Sequence, residues 1–303
     1  MNLRPLRDVT VRPGRPEDVG AVTQLLIAEE RDVRGGSRWS ADDTRDWFHN
    51  LGVNGELWIA EHEGQPAGVV GIFVGDKARA WVAVDPRVTG RSVDAALVEL
   101  AEERAKQREA TTLYLLSFAE NESATRLLER LGYRDVRHFF RMEVEIDERP
   151  GEPEWPPGIG CTTFDTADSR VLHEAINEAF ADDYGHHPLP FDEWKRMRLE
   201  APDFDPSLWF VARERDEIAG VCRCTEHRWG SGWIDALGVR RPWRRRGVGG
   251  ALLRHAFREL YDRGQRSVGL GVDTQNPSGA TRLYERAGMR VVAENISFEK
   301  VLA

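Results

Sequence analysis

The sequence predicts an α/β (α+β) chain of two tandem domains that share one fold, each a mixed, mostly antiparallel sheet flanked by helices. Three observations carry this expectation. Strand-like and helix-like segments alternate along the 303 residues, the same order of segments occurs twice, and a stretch rich in proline, glycine and charge, 147–158 (DERPGEPEWPPG), separates the two runs. The length suits two ordinary domains. The expected partition is a first domain at 1–147, a linker at 148–158 and a second domain at 159–303.

The first run opens with a strand at 9–12. Pro16 followed by Glu17 and Asp18 marks a helix start, and the helix continues to about 29. Strands at 58–61 and 67–74 flank a Glu63-Gly64-Gln65 turn and read as a hairpin. A strand at 80–84 runs through Asp85-Pro86 into a helix over about 94–107. A buried strand at 112–118 and a short helix at 123–131, closed by Gly132, complete the run. The second run repeats the order: strand 160–164, helix 169–180, hairpin strands 209–214 and 218–224 about Arg215-Asp216-Glu217, strand 233–239, helix 248–263, strand 267–272, and helix 279–287 closed by Gly288. Val84 matches Val239 and Gly132 matches Gly288, a spacing far longer than a solenoid repeat, so the pattern is a duplicated domain.

Composition narrows the function classes. The chain is 41% hydrophobic and 31% charged with a formal net charge of −9, a balance that favours solubility and argues against nucleic-acid partners. No window approaches the roughly 18–20 apolar residues of a membrane helix, so no membrane partner is expected. The first residues lack the apolar core and cleavage site of a signal peptide. Three cysteines, Cys161, Cys222 and Cys224, fit a reducing cytoplasm. Cys222 and Cys224 share a face of one strand, but no second Cys or His pair at zinc spacing accompanies them, so buried thiols and no metal are expected.

The segment 233–253, WIDALGVRRPWRRRGVGGALL, carries the chemistry. A hydrophobic strand ends at Val239, a basic turn follows, and a helix starts within Gly247-Val248-Gly249-Gly250. Glycines let backbone N–H groups approach an anion, and the helix N-terminus adds partial positive charge, so a diphosphate is the natural ligand. Arg244, Arg245 and Arg246 would add guanidinium forks. The G-x-G-x-x-G spacing of dinucleotide sites and the G-K-[ST] of P-loops are both absent. From the loop alone, a tight turn with solvated arginines is the alternative.

Arg244-Arg245-Arg246-Gly247-Val248-Gly249 resembles the acyl-CoA signature R/Q-x-x-G-x-G/A of the GNAT acetyltransferases. The resemblance continues through Asn276-Pro277-Ser278-Gly279-Ala280 and Tyr284-Glu285-Arg286-Ala287-Gly288-Met289, which match the family's asparagine after the fifth strand and its tyrosine-bearing helix. It implies acetyl-CoA as co-substrate and acetyl transfer to the primary amine of a small molecule. It also implies that the backbone of Leu237 and Val239 pairs with the pantetheine arm, that the loop Arg244, Arg245, Arg246, Gly247, Val248, Gly249 and Gly250 holds the pyrophosphate, and that Asn276 touches the pantetheine. Tyr284 matches the tyrosine that donates a proton to the departing thiolate; simple packing is the alternative.

Acyl transfer needs an amine that loses a proton and a leaving thiolate that is stabilised. The Val239 N–H is expected to polarise the thioester carbonyl, and transfer is expected to be direct, because no cysteine stands at an evident nucleophile position. Strand alternation puts Asp235 on the face of Leu237 and Val239, as a candidate base or as an arginine partner. Asp182, Asp183, His186 and His187 lie in AFADDYGHHPLPFDEW, the region that covers the acceptor pocket in the family, although a surface turn would read similarly.

The first half keeps the outline without these groups. Thr89 stands at the place of Arg244, Ser92 at that of Gly247, Asp94 at that of Gly249 and Leu128 at that of Tyr284, while Asn121 and Gly132-Tyr133 survive. A carboxylate at a diphosphate site repels its ligand and caps the helix itself. The first domain is therefore expected to be a degenerate copy that supports the second or shapes its acceptor cleft. The two-domain plan resembles tandem acetyltransferases of the mycothiol synthase type. A mycothiol synthase-like activity and a non-catalytic acyl-CoA sensor are the alternative functions, and a monomer or homodimer is expected.

Overall fold

The computed structural model describes residues 9–73, 77–88, 93–184, 188–276 and 278–302, with the side chains of 53 and 54 excepted. In chain order the elements are β1 (Val9–Pro13), α1 (Val19–Arg34), α2 (Ala41–Asn54), β2 (Gly55–His62), β3 (Gln65–Phe73), β4 (Lys77–Val84), α3 (Val93–Gln107), β5 (Thr112–Phe118), α4 (Glu122–Arg130) and β6 (Arg134–Glu145). They continue with β7 (Ile159–Thr163), α5 (Ser169–Phe180), α6 (Phe191–Arg198), β8 (Trp209–Glu214), β9 (Glu217–Arg228), β10 (Ser231–Val239), α7 (Val248–Asp262), β11 (Ser267–Asp273), α8 (Ala280–Arg286) and β12 (Arg290–Val301). The expected strands and helices are all present. α2, α6, β6 and β12 are additional. The start of α2 is fixed by a capping box in which Ser40 Oγ accepts from the Asp43 N–H (3.2 Å) and the Asp43 carboxylate accepts from the Ser40 N–H (2.8 Å).

Two units divide the chain, and they are not consecutive halves. One runs to His138 and resumes at Glu294; the other is Phe139–Ala293. In the first, the strand order is β1-β2-β3-β4-β5-β12, antiparallel except where β5 runs parallel to β4. In the second, the order is β6-β11-β10-β9-β8-β7, antiparallel except where β11 runs parallel to β10. The closing strand of each unit is supplied from the other run of sequence. Residues 295–301 of β12 pair with 112–118 of β5, and residues 139–145 of β6 pair with 267–273 of β11. The expected boundaries at 147 and 159 therefore differ from the observed division, because strand pairing between distant segments decides where each sheet ends. The proline-rich stretch packs on α7: Arg258 donates to the Pro150 carbonyl (3.0 Å) and the rings of Trp155 and His255 lie 6.0 Å apart.

Alternation along β8, β9 and β10 gives the second sheet two distinct faces. Phe210, Cys222 and Leu237 stand opposite one another in register on one face, which α7 covers through the edge contact of His255 with Phe210 (4.6 Å). Trp209, Arg223 and Ala236 share the other face, where Trp194 of α6 meets Trp209 (6.2 Å). A Cβ on Gly238 would come within 2.7 Å of the Phe180 ring, so glycine there lets α5 approach β10 closely.

Candidate active site

The site grows from the way β10 ends. β10 and β11 are paired only from Gly232 to Ile234, so the last residues of β10 form an edge that β11 has left. The Arg240 N–H bonds the Ala219 carbonyl (3.0 Å), which makes Val239 and Gly220 a non-hydrogen-bonded pair. The amides of Val239 and, two residues earlier, Leu237 consequently point away from β9 toward that open edge. Downstream, Gly247 at φ +94° enters α7 through a left-handed conformation open to glycine, and no side chain caps the helix. The first amides of α7, those of Val248, Gly249 and Gly250, are thus left for an anion.

The three loop arginines divide their work. Arg244 is occupied: Nε donates to the Val239 carbonyl (3.0 Å), one terminal nitrogen to the Ala179 carbonyl (3.0 Å) and the other to Asp182 (2.8 Å). Arg246 pairs with Glu214. Arg245, at φ +62°, is exposed, and among the described residues it makes no ion pair. Of the three forks expected at a diphosphate, one is free and two hold the loop in place.

Tyr284 lies in α8 and is 7% exposed. Burial, with Cys222 and Asp183 nearby, pushes its phenol above the ordinary tyrosine range, so it is a neutral donor at physiological pH. Among the described residues its hydroxyl has no hydrogen-bond partner. Asn276 orders the turn before α8: its side-chain carbonyl accepts from the Ser278 N–H (2.8 Å), and its amide nitrogen lies 3.4 Å from Asp183. Asp183 is half-buried, and burial raises its carboxyl. Tyr284, Asn276 and Asp183 thus form one group.

One further expectation comes out differently. Asp235 does not share the face of Leu237 and Val239. A β-bulge between Ile234 and Ala236 inserts it as an extra residue, and its carboxylate accepts from Thr225 Oγ1 (2.6 Å) and Arg228 on the α5/α6 face. Asp182 is bound by Arg241 and Arg244, whose hydrogen bonds pull its carboxyl down to about 2. His186 and His187 lie outside the described residues. Cys222 and Cys224 are buried free thiols with sulfurs 3.7 Å apart.

The corresponding region of the first unit is built alike and filled from within. β4 and β5 are paired only as far as Trp81 and Leu116, and the Asp85 N–H bonds the Ala67 carbonyl (2.9 Å), so Val84 faces an open edge as Val239 does. Here the Val84 N–H donates to the carboxyl of Glu29, which burial raises to about 8. At the start of α3 the Asp94 carboxylate accepts from the Ala95 N–H (2.8 Å). Glu29, Asp94, Asn121 and Leu128 line the cleft between them. Thr89 and Ser92 lie outside the described residues. Sequence reading passed over Glu29, although it continues the buried stripe of Val22, Leu25 and Leu26 along α1.

Comparison with known proteins agrees with this geometry. The family model described as "Acetyltransferase (GNAT) family" matches residues 21–133 and again 170–289. A mycothiol acetyltransferase from Thermobispora bispora is 26% identical over 90% of this chain and 92% of its own length, and one from Streptomyces coelicolor is 27% identical over 93% and 94%. Among solved structures, a GCN5-related N-acetyltransferase from Sphaerobacter thermophilus superposes with a TM-score of 0.83 at 34% identity, covering 99% of this chain and 97% of that one. A tandem GNAT protein from the clavulanic acid biosynthesis pathway shares the fold at a TM-score of 0.76 and 15% identity, over 98% of this chain and 99% of its own. Two matched regions, one in each run of the sequence, make the chain a member of the acetyltransferase (GNAT) family that carries the fold twice.

Proposed function

We propose that the second unit transfers an acetyl group from acetyl-CoA to a primary amine of a small molecule, by direct attack, and that the first unit has no acyl-CoA site. The observation that carries this reading is the conjunction of an uncapped α7 N-terminus, an open β10 edge and an unpartnered, neutral Tyr284. Acetyl-CoA supplies the activated thioester. The amides of Val248, Gly249 and Gly250, with the Arg245 guanidinium, receive its diphosphate. The edge amides of Leu237 and Val239 hold the pantetheine and polarise the acyl carbonyl.

Two proton transfers complete the reaction. The amine loses a proton as its nitrogen attacks, and the departing sulfur gains a proton from Tyr284 Oη. Asp183 serves as the base in preference to Asp235, because Asp235 is already tied to Arg228. A carboxyl raised by burial is a better proton acceptor than an ordinary aspartate. The names of the relatives make mycothiol acetylation the first specific activity to assay for this chain. The test is a titration of the intact protein with acetyl-CoA, followed by thiol release with an amine panel. One equivalent bound per chain and amine-dependent thiol release are expected. Binding without release with any amine would turn the reading to an acyl-CoA sensor.

A further inference from the structure

The second unit brings two guanidinium groups together with no anion assigned to them. Arg223 stands on the α5/α6 face of β9, opposite Trp209 and Ala236, with its guanidinium 5.3 Å from the Trp209 ring centre. Arg198 ends α6 one helical turn after Trp194, whose ring lies 6.2 Å from that same Trp209 ring. Among the described residues neither guanidinium makes a hydrogen bond or an ion pair. The Arg223 charge, with burial, lowers Arg198, and burial lowers Arg223 as well.

The carboxylates nearby are committed elsewhere. Arg228 donates to Asp235 and to Asp203 (3.0 Å), and the Thr225 hydroxyl lies against the same two groups at 2.6 and 3.3 Å. Arg198, Arg223 and Arg228 thus outnumber Asp203 and Asp235, and the cluster keeps a net positive charge. Half-buried like charges are unfavourable unless a counter-anion joins them. The planar forks of arginine match carboxylate and phosphate oxygens in pairs. The location matters too: the pair is on the face of the sheet opposite Leu237, Val239 and α7, separate from the basic loop before α7.

We propose that Arg198 and Arg223 receive an oxyanion, a carboxylate or a phosphate monoester, carried by the amine acceptor. The acceptor is then zwitterionic, with its amine at the β10 edge and its anion on the arginine pair. The inference rests on the acyl-transfer reading above.

The test uses the full chain loaded with acetyl-CoA and three matched panels read by thiol release: α-amino acids, their carboxamides, and phosphoethanolamine against ethanolamine. Release is expected with one type of anionic amine over its neutral partner, the acids or phosphoethanolamine, which identifies the source of the oxyanion. Arg198→Met and Arg223→Met should each lower kcat/KM for that anionic amine by about 10- to 100-fold, the size of a lost hydrogen bond between charged groups. The ratio of anionic to neutral substrate should collapse toward one while the acetyl-CoA Kd holds. Equal turnover of anionic and neutral amines by the parent chain would overturn the proposal and leave acyl transfer standing. If no amine releases thiol, titration with inorganic phosphate decides the anion site by itself. A rise in Tm that both methionine variants abolish supports it, and no rise refutes it.

Discussion

The amide of Val239 in the second unit and the amide of Val84 in the first occupy the same register position, yet they meet opposite surroundings. Among the described residues no side chain accepts from the Val239 amide, which faces the edge that β11 has left. Val84 donates to Glu29. The same contrast is found one turn later, where α7 begins without a cap and α3 begins beneath Asp94. Both sheets are splayed, so the splay alone does not distinguish the units. What distinguishes the units is whether the chain's own carboxyls have taken the donors that an anionic ligand needs.

Residues exchanged between the units test this difference directly. The largest expected effect is Tyr284→Leu, which installs the first unit's Leu128. It should lower kcat by about 10²- to 10⁴-fold, the contribution of a positioned proton donor, while the acetyl-CoA Kd measured by calorimetry holds; unchanged turnover would remove Tyr284 from the mechanism. Next is Gly249→Asp, the counterpart of Asp94. A Cβ there meets only Leu283 at 3.4 Å and Val239 at 3.5 Å, so the change acts through charge and should weaken acetyl-CoA binding by about 100-fold or more.

A smaller effect concerns the first unit alone. Its buried Glu29 keeps a proton that an unfolded chain would release, since its carboxyl is raised from 4.5 to about 8. The folded state therefore binds more protons, and stability falls as pH rises across that interval. Glu29→Gln should flatten the dependence of Tm on pH between 5 and 8; an unaltered slope would place the titration elsewhere. The smallest effects separate the arginines. Arg245→Ala should weaken acetyl-CoA several-fold, on the order of one exposed charged contact, and Arg246→Ala less, because Arg246 is already paired with Glu214. The reverse order would show that the Glu214 pair opens on binding.

What could be read from the sequence was what short segments determine. Gly247, Asn276 and Tyr284 stand in a local pattern, and the helices and hairpins around them follow from capping, turns and periodicity. Strand alternation gives the wrong face for Asp235 because a bulge breaks it without leaving a mark in so apolar a strand. The additional α2 did carry a signal, the Ser40–Asp43 box. The occupation of Arg244 and the pairing of Arg198 with Arg223 depend on segments that meet only in space. The origin of each unit's closing strand is the same kind of fact, since β5 and β12 are far apart in the chain.

That last arrangement sets an order of events during synthesis. β6, which completes the second sheet, leaves the ribosome before any other strand of that sheet, so the second unit can close as soon as β11 emerges. The first unit has its helices and five strands early but must wait for β12. Until then β5 is an unpaired edge, open to the wrong partner for most of the time the chain is being made. The half of the molecule translated first is thus the half that finishes folding last.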